Sequence, residues 1–399
     1  MPELNNTLLE KDSTSRQFGL DLMRACSIIM VFLSHSIDLN PLKQQFPYFA
    51  WMGFGVEAFF TLSGFLIGRI ILNTLFSPAV SWSAICFFWI NRWLRTLPAY
   101  FASLLIYFIF TPHFGLKALT YLFFCQNIIT PVPYFFPHSW SLAVEEWFYL
   151  TFPLVLFAIH KIVPKLTKGR VFWAGILVFI IFGLVSKFAL YYSYQTPLLA
   201  NLIQKGWVFP SWKIFLNHAG DWDTMRKIVP FRIDAIAYGC IIALLFSLKQ
   251  SISTKQAKYL FGLGVICLGL SYFIFAMEVI NIHSNYLTDI FLLPLFSISF
   301  ALMIPLAALI PPPQNKTLLK VVTNISLTSY SFYLIHFLII ELFLYIQKKY
   351  LYISGIQFML LVGCYISIYA VSFVMYNYIE IPFLRYRSQL RKTRQNNVT

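Results

Sequence analysis

The chain has 399 residues, of which 59% are hydrophobic and only 11% charged, and its mean hydropathy is +0.70. A water-soluble domain keeps roughly a quarter of its residues charged to coat its surface, so this composition excludes a string of soluble domains and calls for an exterior that faces lipid. The formal charge of +15 does not argue for nucleic acid, because membrane proteins collect Lys and Arg in cytoplasmic loops; membrane lipid is the expected partner.

Apolar runs between polar breaks predict ten membrane spans, each close to the ~20 residues a bilayer requires. The expected fold is therefore an all-α polytopic bundle with no soluble domain. Residues 1–17 are polar, and no small-residue cleavage site follows the first apolar run, so that run is a retained span rather than a signal peptide. The first span, 19–38, carries Asp21, Arg24, Ser34, His35 and Asp38. An ionisable group inside a bilayer costs at least ~2.5 kcal/mol, so each one needs a reason. The eleven-residue step from Arg24 to His35 is about three helical turns, which sets both on one face about 16 Å apart along the axis. Asp21 is near enough in register to pair with Arg24.

The second span, 53–75, has Glu57 toward one end and Arg69 toward the other, with Gly64 and Gly68 as small residues for close helix packing. The third, 93–111, begins among Arg92 and Arg95. The stretch 116–130 is apolar but short and flanked by proline, which fits a re-entrant or interfacial helix. In the fourth span, 139–160, His138, Ser141, Glu145 and Tyr149 fall at i, i+3, i+7 and i+11, with Glu146 one position off. Adjacent glutamates in an apolar helix rarely serve packing alone, and Trp140 stands on the same helix near its start. The fifth span is 171–193. The sixth, 229–247, opens with Arg232 and Asp234. The seventh and eighth cover 258–280 and 286–310. The ninth, 324–347, aligns Ser329, Tyr333 and His336 on one face, a pattern that hydroxyls bonding between helices also produce. The tenth, 356–378, leads past Glu380 into a basic tail, 381–399. The six cysteines are scattered in or beside apolar runs with no metal-ligand spacing, so no metal is expected.

Loop charge orients the stack. Lys161, Lys165, Lys168 and Arg170, then Lys249, Lys255 and Lys258, then Lys316 and Lys320, and finally the tail fall on one side. The alternate loops hold Lys43, Lys117 and, in 281–285, none. The long 194–228 segment, with Lys205, Lys213, Arg226 and Lys227, is the exception, and long loops obey the rule less strictly. Both termini are thus expected in the cytoplasm. Arg24, Arg69, Arg92, Arg95 and Glu380 sort to the cytoplasmic ends. His35, Asp38, Glu57, His138, Glu145, Arg232 and Asp234 sort toward the outer half. Arginines there suit phosphates, which Arg grips bidentately, but the positive-inside rule alone also accounts for them.

Seven segments in order resemble the acyltransferase-3 family of membrane acyltransferases: LDLMRACSIIMVFLSH at 20–35, GVEAFFTLSGFLIGR at 55–69, FWINRWLRTLPAY at 88–100, HSWSLAVEEWFYL at 138–150, FRIDAIAYG at 231–239, SYSFYLIH at 329–336 (with Tyr330 and His336) and IEIPFLR at 379–385. The resemblance implies a ten-helix acyltransferase domain over 18–380, with acyl-CoA, usually acetyl-CoA, as cytoplasmic co-substrate. It implies acylation of a hydroxyl on a surface glycan such as lipopolysaccharide O-antigen, or on a small molecule. The family's paired Arg and His match Arg24 and His35, its R-x-x-R matches Arg92 and Arg95, and its glutamate before the last proline matches Glu380. Glu57 stands where many members have Asp. Some members carry an extracytoplasmic hydrolase-like domain; with none after Thr399, transfer is expected to finish in the membrane domain or on a partner.

On this basis Arg24, Arg69, Arg92 and Arg95 hold the CoA phosphates. His35 acts as general base or as transient acyl carrier, Glu145 tunes a histidine or binds sugar hydroxyls, and Trp140, on the outer side, offers a ring for stacking on a sugar. A transporter or flippase also fits intramembrane charges, although no inverted repeat or broken helix pair is visible.

Overall fold

A computed structural model describes residues 16–39, 52–75, 81–110, 118–129, 135–195, 225–248, 252–281, 286–350 and 357–396. Among them lie ten helical segments long and apolar enough to cross a membrane, and no strand. The chain is a polytopic membrane protein. Its helices are α1 (Phe18–His35), α2 (Gly55–Thr74), α3 (Trp82–Phe110), α4 (Trp140–Ile162), α5 (Lys168–Gln195), α6 (Asp234–Leu248), α7 (Thr254–Asn281), α8 (Tyr286–Leu309), α9 (Lys316–Tyr350) and α10 (Gln357–Met375). A π-helical turn, Tyr376–Glu380, joins α10 to α11 (Ile381–Asn396). Of the loop charges that orient the sequence, Lys43, Lys117, Lys205, Lys213 and Lys249 lie outside the described residues.

The centre of the bundle is α2 against α6, with α1, α5 and α8 around them and α9 packed on α1. A Cβ on Gly64 would stand 1.9 Å from the Ile236 carbonyl oxygen, and one on Gly239 1.9 Å from that of Thr61. The two helices therefore meet backbone to backbone, which only residues without a side chain permit. The outward faces of α3, α5 and α7 present Leu105, Ile109, Ile181, Val185, Ile266 and Phe273, an apolar coat that lipid covers and water would not tolerate.

Three boundaries depart from the sequence reading. The third span starts at Trp82, eleven residues before the expected 93, because the polar residues that mark a break there are used internally: Asn91 accepts a hydrogen bond from Arg391 Nε at 2.8 Å, and Arg394 reaches the Ser83 carbonyl at 3.3 Å. The tail is thus a helix docked on the first turns of α3. The first span stops at His35, and Ile37–Leu39 form a 3₁₀ turn. The apolar 116–130 stretch contains one short helix, Leu119–Leu122, which ends with Phe124 at φ 56° and Cys125 N–H closing onto the Thr120 carbonyl at 2.8 Å.

The π turn has a local cause and a consequence. Pro382 follows it and has no N–H to give to a carbonyl one turn back. The extra residue per turn re-aims Glu380 into the bundle, where Ser331 donates to its carboxylate.

Candidate active site

Polar side chains gather in three groups. The first lines a cavity of about 140 Å³ that runs from Arg24, Arg92 and Glu380 to Val56 and Ser141 in the first turns of α2 and α4. Arg24, Arg92, Arg95, Glu145, Tyr330 and Glu380 all reach it. Asp21 organises Arg24: its carboxylate takes two hydrogen bonds from Arg16, at 2.6 and 3.0 Å, and one from Ser326 at 2.7 Å, and stands 3.6 Å from Arg24. The Asp21–Arg24 pair expected from register is present. Arg24 Nη1 also donates to Ser326 Oγ at 3.3 Å. Arg92 lies over the Tyr149 ring, 4.2 Å from its centroid, and donates to Glu145 at 3.1 Å, while Tyr149 OH donates to the same carboxylate oxygen at 2.7 Å. Tyr330 OH donates to the Thr96 carbonyl at 3.0 Å. Arg95 differs from its neighbours. It is exposed, lines the cavity, and among the described residues makes no hydrogen bond or ion pair. A cation so placed leaves the cavity suited to an anion.

Glu145 corrects the sequence reading. Loop-charge orientation sorted it to the outer half, as a group that tunes a histidine or binds sugar hydroxyls, yet seven residues of helix carry it about 10 Å along the axis from His138. It belongs to Arg92. Arg69 also stands apart: it lies over Phe65 and donates to Gln17 at 3.4 Å, outside the cavity lining.

The second group is a cluster of three histidines at the other end of α1. His35 Nδ1 and His336 Nε2 are 2.8 Å apart, and His336 Nδ1 is 2.7 Å from the Tyr333 carbonyl oxygen. His138 packs against His336 with ring centroids 4.7 Å apart and gives its Nε2–H to the Leu334 carbonyl at 3.1 Å. His138 and His336 are buried, and His35 is half-buried. Between this cluster and the cavity stands a single polar layer. Tyr333 OH donates to the His138 carbonyl at 2.9 Å and meets Ser141 Oγ at 2.6 Å, and both side chains also line the cavity. Among the described residues no group of His, Cys, Asp or Glu is arranged to hold a metal ion.

The third group is a fully buried charge quartet. Arg232 binds Glu57, whose carboxylate also accepts from Ser297 Oγ at 2.8 Å, and Lys187 Nζ donates to Asp234 at 2.6 Å. Glu57, Arg232 and Asp234 thus belong to neither of the other groups. Lys187 escaped the sequence reading, although a lysine inside the fifth span was itself the signal. Arg226 was passed over as loop charge; it is buried, 5.2 Å from the Trp140 ring and 5.8 Å from that of Phe54. Trp140 is buried beneath Arg226 and edge-on to Phe60, so it offers no open face to a sugar, contrary to expectation. Asp38 is exposed on the 3₁₀ turn beyond His35.

The model of a family described as an acyltransferase domain matches residues 17–377. The O-acetyltransferase OatA of Staphylococcus aureus (strain NCTC 8325 / PS 47) is 28% identical over 361 residues, which covers 83% of this chain and 52% of OatA. A second Staphylococcus aureus protein, from strain COL and provisionally named an O-acetyltransferase, is 27% identical over 357 residues, covering 81% of this chain and 50% of its own length. The chain spans about half the length of the curated relatives it matches. No solved structure matches it.

Proposed function

The chain belongs to this acyltransferase family, and from that premise we propose that it is a membrane O-acetyltransferase that moves an acetyl group from cytoplasmic acyl-CoA to a hydroxyl of a cell-surface glycan such as lipopolysaccharide O-antigen. The observation that carries this reading is an arginine-lined cavity and a histidine cluster that share two helices. Arg24 and His35 share α1, and Tyr330 and His336 share α9. The separation of about 16 Å along α1 is of the order of an extended pantetheine arm.

In this reading the CoA phosphates sit against Arg24, Arg92 and Arg95, and the thioester arm runs along the polar seam toward His35. The Ser141–Tyr333 contact closes the far end of the cavity, so these two side chains part as the arm advances. His35 Nε2 takes the proton from the acceptor hydroxyl. The hydroxyl oxygen attacks the thioester carbonyl carbon, the C–S bond breaks, and the departing sulfur receives the proton from His35. The apolar walls around Phe59, Phe60 and Ile67 keep water from the thioester. The basic loops after α4, before α7 and before α9 support a cytoplasmic arginine end, with both termini in the cytoplasm of a bacterial inner membrane.

Arg95 provides the test of the donor site. Purified protein in nanodiscs, titrated with acetyl-CoA, should bind it about ten- to a hundred-fold more weakly when Arg95→Ala removes one charge-assisted phosphate contact, and labelled acetyl should still pass to glycan at saturating donor. Unchanged acetyl-CoA affinity in that variant would detach the donor from this cavity.

A further inference from the structure

The hydrogen-bond chain through the histidine cluster fixes where the protons lie. The Tyr333 carbonyl oxygen can only accept, so His336 Nδ1, 2.7 Å away, carries a hydrogen. A neutral His336 then has a bare Nε2, which must accept. Its partner at 2.8 Å is His35 Nδ1, which must therefore donate. The alternative is a His336 protonated on both nitrogens. That would be a cation in a fully buried ring, and among the described residues no carboxylate forms an ion pair with it. His35 is left with its proton on Nδ1 and a lone pair on Nε2. That nitrogen makes no hydrogen bond among the described residues, and His35 is only half-buried. His138 offers nothing comparable: its Nε2 is spent on the Leu334 carbonyl and its Nδ1 is buried without a partner among the described residues.

We propose that His336 is the positioning residue of the site: through its bond to Nδ1 it holds His35 in the tautomer whose Nε2 is the reacting nitrogen. This rests on the reading of His35 as the base. In such a pair the second group sets tautomer and ring orientation and steadies the charge that develops on the first. Here a neutral imidazole anchored on the helix's own backbone fills the place that a carboxylate often takes. In the acyl-transfer step the Nδ1–H stays with His35, Nε2 gains and then releases the acceptor's proton, and His336 returns unchanged.

Nitrogen-15 NMR of histidine-labelled protein in nanodiscs, with His35 assigned by difference from His35→Gln, reads the tautomer directly. The resting protein should show the proton on Nδ1. A glutamine at 336 places its amide where Nε2 stands and can still accept, whereas an asparagine reaches only to the Nδ1 position. His336→Gln should therefore keep the His35 tautomer and stay within about tenfold of full kcat. His336→Asn should lose the tautomer preference and fall about a hundred-fold or more in kcat, with acetyl-CoA affinity unchanged. A resting His35 protonated on Nε2, or equal activity in the two variants, overturns the assignment. The wild-type spectrum alone decides the proton's place if the asparagine variant does not fold. It is independent of activity, so a failure of His35 as base would show separately, as full activity in His35→Ala.

Discussion

Replacing His35 by alanine should lower acetyl transfer about a hundred- to ten-thousand-fold, the range that one positioned general base supplies. The protein should remain folded and in the membrane, because His35 is half-buried at the end of α1 and its only hydrogen bond among the described residues is to His336. The measurement is mass spectrometry of surface glycan from cells that make the variant at the normal level. Loss of the acetyl increment is the expected outcome. Full acetylation with His35→Ala would remove the histidine from the chemistry and leave the cluster as packing. The effect is large because neither neighbour can substitute: His336 uses both nitrogens in the chain, and His138 is buried.

The second large effect falls on the fold rather than on the chemistry. Arg232→Met should cost about 3–5 kcal/mol of stability, because it strands the Glu57 carboxylate in a site with no access to solvent. Among the described residues, Ser297 alone would remain to donate to it. Thermal unfolding in detergent and the yield of folded protein are the readouts. Pairing that change with Glu57→Leu removes both charges and should recover most of the loss, since replacing a whole buried pair by apolar groups is often neutral. A single Arg232→Met variant as stable as the parent would show that the quartet does not hold the centre of the bundle. The location of the pair explains the size of the effect. It ties α2 and α8 to the short helix Val229–Arg232 that leads into α6, about two turns from the backbone contact of Gly64 and Gly239, while Lys187 and Asp234 tie α5 to α6.

The ten spans were legible in the sequence because an apolar run of bilayer length is rarely anything but a membrane helix. What blurred was their ends. Asn91 and Arg92 fall outside the expected span 93–111, yet both are as helical as Arg95 within it: Asn91 meets the tail helix, and the two arginines face the cavity. Side chains that a helix turns toward a polar interior look, in one dimension, the same as a loop. The arginine end was legible as a set of residues, since Arg24, Arg92 and Arg95 do converge. Glu145 was misplaced because helical periodicity reports a face and not a depth. The histidine cluster was legible only in pieces. His35, His138 and His336 come from segments some 100 to 300 residues apart, and a single sequence carries no signal that such residues touch. The charge quartet is the mirror case: Glu57, Arg232 and Asp234 were each picked out by the cost of burying a charge, and the partners that meet that cost emerged only in three dimensions.

The central claim is that donor and acceptor meet from opposite sides of the membrane. It is tested most directly in sealed inverted vesicles that carry the protein and enclose the acceptor glycan. Acetyl-CoA labelled in its acetyl group and supplied to the outward-turned cytoplasmic face should deliver label covalently to the enclosed glycan, and His35→Ala vesicles should deliver none. Transfer that requires acetyl-CoA on the glycan's own side, or passage of a solute across the membrane without any acetylated product, would contradict the account.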